Sequence, residues 1–334
     1  MADSEQVKKF IENIKVEDKI SLVFHDDLDG FASGILMYDY LIKIGCKNIQ
    51  TFSLKIETNA FENVVDDLKR DDKIIIMDLG PNLIVNGLQD LKDKEILYID
   101  HHQNEVVIPE NVLEYRTEGL IPATRSVYDF VGGKLWLAVA GIISDAGFKN
   151  PDNMKLINNF LEEEKMGFED YTVEIVEIID SFLIYFREKR EKAFEILKDI
   201  DSWKELEEIK KYAEPIKKEI EKFVEDYEEN HEKIGKINFY YFKPRFKVKV
   251  LVTNKIGYKY PDEIFIFASP SGGMISMSAR NQNGQANMIE VLKVGINGLE
   301  DAGCGGHIPA AGGQIRGQDL DKFKDNLRNW DGEK

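Results

Sequence analysis

Three apolar runs that each stop at acids or imidazoles constrain this chain more than any other feature. Ile20 to Phe24 runs into His25-Asp26-Asp27-Leu28-Asp29-Gly30. Lys73-Ile74-Ile75-Ile76-Met77 ends at Asp78, and Glu95-Ile96-Leu97-Tyr98-Ile99 ends at Asp100-His101-His102. Apolar runs of this length, separated by helical patterns, read as strands of a parallel sheet covered on both faces. Ligands of such sheets bind in the crevice beyond the carboxyl ends of the strands. These acids and imidazoles are therefore expected in one pocket. So many carboxylates do not stay ionised together without a counter-charge, and a pair of divalent metal ions supplies it.

The rest of the chain alternates strand and helix around these runs. Helical spacing is expected over residues 4–15, 31–44, 60–69 and 83–91, with a further strand over 48–54. Helices over 123–130 and 135–143 follow, the second delivering Asp145. This predicts an α/β domain with a mostly parallel sheet over residues 1–150. From 151 to 235 strand signals vanish and an acidic helical connector is expected, broken at Pro215. A smaller α/β domain follows over 236–334. Its expected strands are 237–242, 246–252, 263–267 and 274–279, its helices 285–294 and 320–327, with glycine-rich loops between. Gly272-Gly273 and Gly312-Gly313 read as turns.

A length of 334 residues suits two domains, because single cores stop growing near ~250–300 residues. With 43% apolar and 31% charged residues the composition is globular, not disordered or membrane-spanning. No run reaches the roughly 18–20 apolar residues of a membrane helix, and Met1-Ala2-Asp3-Ser4-Glu5 lacks a signal-peptide core. Cys46 and Cys304 are too few for a disulfide framework or a structural zinc site. The expectation is a soluble cytoplasmic protein with no membrane partner. The net charge of −17 opposes nucleic-acid binding, but it is uneven. Counting Lys and Arg against Asp and Glu, residues 1–150 carry −10, 151–230 carry −11 and 231–334 carry +4. A local basic groove is what phosphate binding requires.

His25-x-Asp27-x-Asp29-Gly30, then Asp78, Asp100-His101-His102 and Asp145 resemble the four-motif signature of the DHH phosphoesterase superfamily. Gly303-Cys304-Gly305-Gly306-His307 is similar to the glycine-rich histidine motif of its DHHA1 partner domain, which usually has glycine where Cys304 stands. The order of motifs resembles the RecJ-like exonuclease and nano-RNase branch. That resemblance implies an N-terminal DHH domain, a helical connector and a DHHA1 domain, with the active-site cleft between domains. It implies that His25 and Asp27 hold one ion and Asp29, His101 and Asp145 the other. Asp78 would bridge them, and a water between the ions would be the nucleophile. His102 would contact the phosphate or shuttle a proton, and Asp100 would orient a neighbouring histidine. Asp26 would be a helix-start residue or a support to the ligands. Taken singly, these residues have bland readings as helix caps, turns or structural histidines. Together those readings fail, since all the chain's histidines but His231 fall in the motifs. Carboxylate and imidazole donors without thiolate suit Mn²⁺ first, with Mg²⁺ or Co²⁺ as alternatives.

In the C-terminal domain the glycine motif lets backbone approach a phosphate, with Gly305 and Gly306 in an anion-binding nest and His307 bonding the phosphate or a terminal nucleotide. Arg280 at a strand end suits bidentate phosphate recognition. Lys243, Arg245, Lys247 and Lys249 recur at every second residue, one face of a strand. They read equally as a track for a single strand or as a lysine-protected sheet edge. The expected function is a metal-dependent phosphodiesterase or exonuclease that hydrolyses single-stranded DNA or RNA, or short oligonucleotides, to nucleoside monophosphates. The alternatives are a phosphoesterase for cyclic dinucleotides or 3′-phosphoadenosine 5′-phosphate, and a RecJ/Cdc45-like replication scaffold. The acidic helical block is a further expected surface for a replication or repair protein.

Overall fold

The computed structural model describes residues 2–328 and 330, apart from 57, 58, 104 and the side chain of His307. The chain divides between residues 213 and 214 into two compact units. The first begins with helix α1 (Ser4–Glu12), started by an Asp3 cap that accepts the Gln6 amide. Strands β1 (Lys19–His25), β2 (Asn48–Leu54), β3 (Lys73–Met77), β4 (Glu95–Asp100) and β5 (Val112–Arg116) form one sheet of order β2-β1-β3-β4-β5. All four pairings are parallel. Between the strands lie α2 (Leu28–Lys43), α3 (Val65–Leu68) and α4 (Pro81–Leu88), and after them α5 (Ala123–Val131) and α6 (Leu135–Ser144).

Alternation along the strands explains why the sheet is buried on both sides. Ile20, Leu22, Phe24, Ile75, Met77, Leu97 and Ile99 face one core with α2, α5 and α6. Val23, Ile74, Ile76, Ile96 and Tyr98 face the other, closed by Phe61, Val65 and Ile84. The strand over 112–116 has no counterpart among the sequence expectations, because its outward residues are only partly covered and its apolar pattern is short. Residues 60–69, expected as one helix, form a 3₁₀ turn and the four-residue α3.

The remainder of this unit is helical: α7 (Pro151–Glu164), α8 (Phe168–Tyr171), α9 (Glu177–Tyr185) and α10 (Arg190–Lys198). Their apolar stripes, including Ile175, Ile179, Phe182, Phe194 and Leu197, join the first core. Helix α11 (Glu207–Asn230) then runs unbroken through Pro215, against expectation. Proline in a helix interior costs about 3 kcal/mol. Here Ile209, Ala213, Ile216, Ile220 and Phe223 form a buried stripe at helical spacing, and that burial outweighs the lost hydrogen bond.

The second unit holds a sheet of order β10-β11-β9-β8-β7-β6. Its strands are β6 (Glu232–Ile234), β7 (Ile237–Tyr241), β8 (Ile264–Ser271), β9 (Met274–Arg280), β10 (Gly303–His307) and β11 (Ala310–Arg316). Pairings are antiparallel except β7 with β8. Its helices are α12 (Lys249–Lys259), α13 (Met288–Ile296) and α14 (Leu320–Arg328). Ile275, Met277 and Ala279 of β9 face the core with α13 and α14. Helix α12 packs against β8 and β9.

Two expectations fail here. Residues 246–252 are not a strand: Val248, Val252 and Ile256 are fully buried at a spacing of four, so the helical stripe prevails over the Lys-Val alternation. Lys243, Arg245, Lys247 and Lys249 therefore share no strand face. The glycine-rich stretch is not a loop either. Gly303–His307 is the edge strand β10, and Gly312-Gly313 lies within β11 rather than in a turn. Gly306 has φ 137°, and a Cβ there would lie 2.5 Å from the Ala310 carbonyl oxygen, so the hairpin demands glycine.

Candidate metal centre

Each motif residue stands where a parallel strand gives way to the next segment. His25 ends β1, Asp78 follows β3 and Asp100 ends β4. Asp27 caps α2, its Oδ1 accepting the Gly30 amide at 3.0 Å. A Cβ on Gly30 would lie 2.3 Å from the His25 carbonyl oxygen. Glycine alone lets the helix begin this close to the strand end.

Asp29 lies in the first turn of α2 and is 1% exposed. Its two oxygens accept the Ala123 amide at 2.9 Å and the Thr124 amide at 2.8 Å. These are first-turn amides of α5, whose own Pro122 offers no side-chain cap, so Asp29 serves as the missing cap. Asp145 follows the last residue of α6. Asp78 takes a left-handed backbone conformation, φ 57°, while its amide donates to the Ile99 carbonyl at 3.0 Å.

These elements bring the predicted ligands together. His25, Asp27 and Asp78 form one group, and Asp29, His101 and Asp145 another, each with donor atoms within 4.8 Å of one another. His25 Nδ1 is 2.8 Å from Asp27 Oδ2 and 3.6 Å from Asp78 Oδ2. His101 Nε2 lies 3.4 Å from Asp78 Oδ1, 3.3 Å from Asp145 Oδ2 and 3.7 Å from Asp29 Oδ2. The Gly119 carbonyl, 3.3 Å from His101 Nδ1, holds the ring so that Nε2 faces the acids. His102 also comes within reach of Asp78 and His101, but its Nδ1 bonds Asp100 Oδ1 at 2.8 Å. Asp100 is fully buried and accepts the Tyr98 hydroxyl at 2.6 Å on its other oxygen.

The electrostatics are those of a site short of positive charge. Burial, then Asp29 and Asp27, raises the Asp78 carboxyl well above its usual range. Burial and Asp29 push Asp145 up to about 7. Burial raises Asp29 despite the opposing His101. Burial disfavours the charged imidazoles, yet the carboxylates prevail: Asp27 and Asp78 raise His25 to about 11, and Asp78, Asp29 and Asp145 raise His101 to about 10. The protonated histidines thus stand in for cations. Asp78 Oδ2 is buried with no hydrogen-bond partner. Hard carboxylate and imidazole donors, no thiolate and an orphaned carboxylate oxygen fit divalent ions.

Sequence reasoning missed three residues of the helical segment. Arg190 Nη2 donates to Asp26 Oδ2 at 2.6 Å, and Arg187 Nη1 lies 3.8 Å from the same oxygen. Asp26 is thus an anchor for α10 rather than a helix-start residue. Asp180 on α9 is pushed up to about 7 by burial and by Asp27. No motif marks these positions; an acid inside the apolar stripe of α9 was the one signal.

In the second unit Arg280 ends β9, its Nε 3.1 Å from Asn254 Oδ1 and its Nη1 2.9 Å from the Ala279 carbonyl. Register places it opposite Ala310, which pairs with His307. Arg280 and the Gly306–His307 end of β10 thus share one sheet end; the His307 side chain lies outside the described residues. A 590 Å³ cavity lined by Ser53, Lys55, Arg187 and Arg190 lies in the first unit. No helix among the described residues is long and apolar enough to cross a membrane.

Comparison with protein families matches residues 19–146 to the DHH family N-terminal domain and residues 247–332 to the DHHA1 domain. No curated protein sequence matches the chain. Among solved structures, RecJ from Thermus thermophilus in complex with Mn²⁺ is similar at 17% identity and a TM-score of 0.71. The match covers 97% of this chain and 53% of that one, so the chain spans about half the length of that relative. An exonuclease RecJ bound to manganese matches at 17% identity and a TM-score of 0.70, covering 97% of this chain and 92% of its own. Cdc45 from Entamoeba histolytica matches at 9% identity and a TM-score of 0.58, covering 97% of each. At these identities the likeness is one of fold. The two family matches, in the order of the motifs, make this chain a member of the DHH/DHHA1 phosphoesterase superfamily.

Proposed function

We propose that this chain is a divalent-metal-dependent phosphodiesterase that hydrolyses single-stranded or short oligonucleotides to nucleoside monophosphates. The observation that carries the reading is the convergence of six ligand-type side chains in two groups of three. His25, Asp27 and Asp78 would hold one ion, and Asp29, His101 and Asp145 the other, with Asp78 offering an oxygen to each. Two divalent ions, Mn²⁺ for preference, supply Lewis acidity toward the phosphodiester and a strong nucleophile from water. His102 is oriented by the buried Asp100 and keeps a side chain 42% exposed, so it is free to meet substrate. Burial lowers its proton affinity but Asp100 raises it further, which suits a proton donor to the leaving oxygen. Arg280 and the β10 hairpin of the DHHA1 domain would take the substrate's phosphate.

The test is incubation with Mn²⁺ and single strands of about 5 and about 20 nucleotides, labelled at the 5′ or the 3′ end. Metal-dependent release of mononucleotides, lost in Asp78→Ala, is the expected result, and the label reports the direction. One observation favours a second reading. The net charge of −17 repels long polyanions, which suits a small-nucleotide substrate such as a cyclic dinucleotide or 3′-phosphoadenosine 5′-phosphate. Cleavage of those alone would establish it. No cleavage of any substrate would leave a binding role of the scaffold kind.

A further inference from the structure

The alternating lysines before α12 do not line a strand, yet one of them is placed unusually. Lys249 opens α12 and turns back onto β9, its Nζ donating to Ser276 Oγ at 2.6 Å. Ser276, Ser278 and Arg280 alternate with Ile275, Met277 and Ala279, so they occupy the face of β9 that looks away from the core formed with α13 and α14. Helix α12 packs on that strand, and Asn254 on α12 accepts from Arg280. The face thus carries a hydroxyl, an ammonium and a guanidinium in a row.

What it lacks is an acid. Among the described residues neither Lys249, Lys247 nor Arg280 has a carboxylate partner. Burial, then Lys247 and Arg280, depresses Lys249 to about 8, and burial lowers Arg280 as well. Cations are rarely covered without a counter-charge, because desolvation is not offset. A chain with 61 acidic residues had ample means to supply one. The charge is left for an anion that arrives from outside.

We propose that Lys249, held by Ser276 beside Arg280, binds a phosphate group of the substrate on the α12–β9 face. The ligand class is a phosphate mono- or diester: a terminal phosphate of a nucleotide or an internal phosphate of an oligonucleotide. The inference rests on the DHHA1 unit alone, and deepens the substrate role proposed above. It concerns binding without metal, so it is tested apart from hydrolysis.

The experiment measures fluorescence anisotropy of 5′-labelled pentathymidylate with the full chain in EDTA, with thymidine 5′-monophosphate as competitor. Lys249→Met is expected to weaken pentathymidylate binding about tenfold, the size of one charge-assisted contact. It is also expected to reduce the slope of log affinity against log salt by about 0.7, one phosphate contact on a single strand. Lys249→Arg, which keeps the charge, stays within about threefold of wild type. Melting temperature does not fall in Lys249→Met, because a covered cation without a partner is removed. A parallel loss for the mononucleotide assigns a terminal phosphate, and a loss for pentathymidylate alone assigns an internal one. Unchanged binding of both ligands in Lys249→Met overturns the proposal. So does weakened binding accompanied by a lowered melting temperature, which marks a structural lysine.

Discussion

Asp78 holds a backbone conformation, φ 57°, that few residues other than glycine adopt, and it does so in the middle of the candidate metal centre. Such strain costs on the order of 1–3 kcal/mol. Asp78→Gly is therefore predicted to raise the melting temperature of the metal-free protein while abolishing Mn²⁺-dependent hydrolysis. Calorimetry and a hydrolysis assay on the same preparation check both halves. The imidazoles give a pH prediction. His25 and His101, raised to about 11 and about 10, stabilise the metal-free fold fully below their unfolded value near 6.5. That contribution is lost as pH rises through their folded values. Asp145, raised to about 7, loses its own contribution between about 4 and 7. The metal-free melting temperature should fall from pH 6.5 to 9. Mn²⁺ must displace the histidine protons, so its affinity should rise over the same interval with proton release to the buffer. Calorimetric titrations in two buffers of different ionisation heat measure that release. At this scale the clustering of the candidate ligands was legible because each sits beside a strand end or, for Asp145, a helix end. Asp180, Arg187 and Arg190 reach the same region from a helical segment more than 30 residues beyond Asp145, and only folding brings them near.

Helix α5 owes its start to a residue from another element, since Asp29 accepts the amides of Ala123 and Thr124. Asp29→Ala should cost about 1–2 kcal/mol of metal-free stability as a lost cap. Asp29→Asn, which keeps one carbonyl acceptor, should cost less, while both weaken metal binding. Urea unfolding in EDTA separates the two effects. The parallel strands were readable because fully buried strands leave unbroken apolar runs. The β10–β11 hairpin was not, because a strand of Gly303, Gly305 and Gly306 carries no apolar alternation. Helix α12 was misread for the opposite reason: lysines at every second position imitate a strand. The valines at 248 and 252, with Ile256, decide the matter through burial. In α11 the same force carries a helix through Pro215. Pro215→Ala should stabilise the protein, by at most about 3 kcal/mol, as read by thermal unfolding.

Across the whole molecule the acidic excess sits in residues 1–230, and residues 231–334 are basic. A long strand meets repulsion that a short one escapes. The specificity constant for about 5 nucleotides should exceed that for about 20 by roughly tenfold at low salt, and the gap should narrow as salt screens the charge. The parallel sheet beneath the candidate metal centre follows from features read in the sequence, namely motif order and apolar runs, whereas the division between residues 213 and 214 falls inside the segment expected as a connector. The proposed chemistry depends on Asp78 and the five side chains gathered with it holding two ions. Mn²⁺ binding to the purified, metal-stripped chain, followed by electron paramagnetic resonance, tests this most directly. Two bound Mn²⁺ per chain with a spin-coupled spectrum, the coupling lost in Asp78→Ala, is the predicted result. A single uncoupled ion, or binding that Asp78→Ala leaves unchanged, would contradict it.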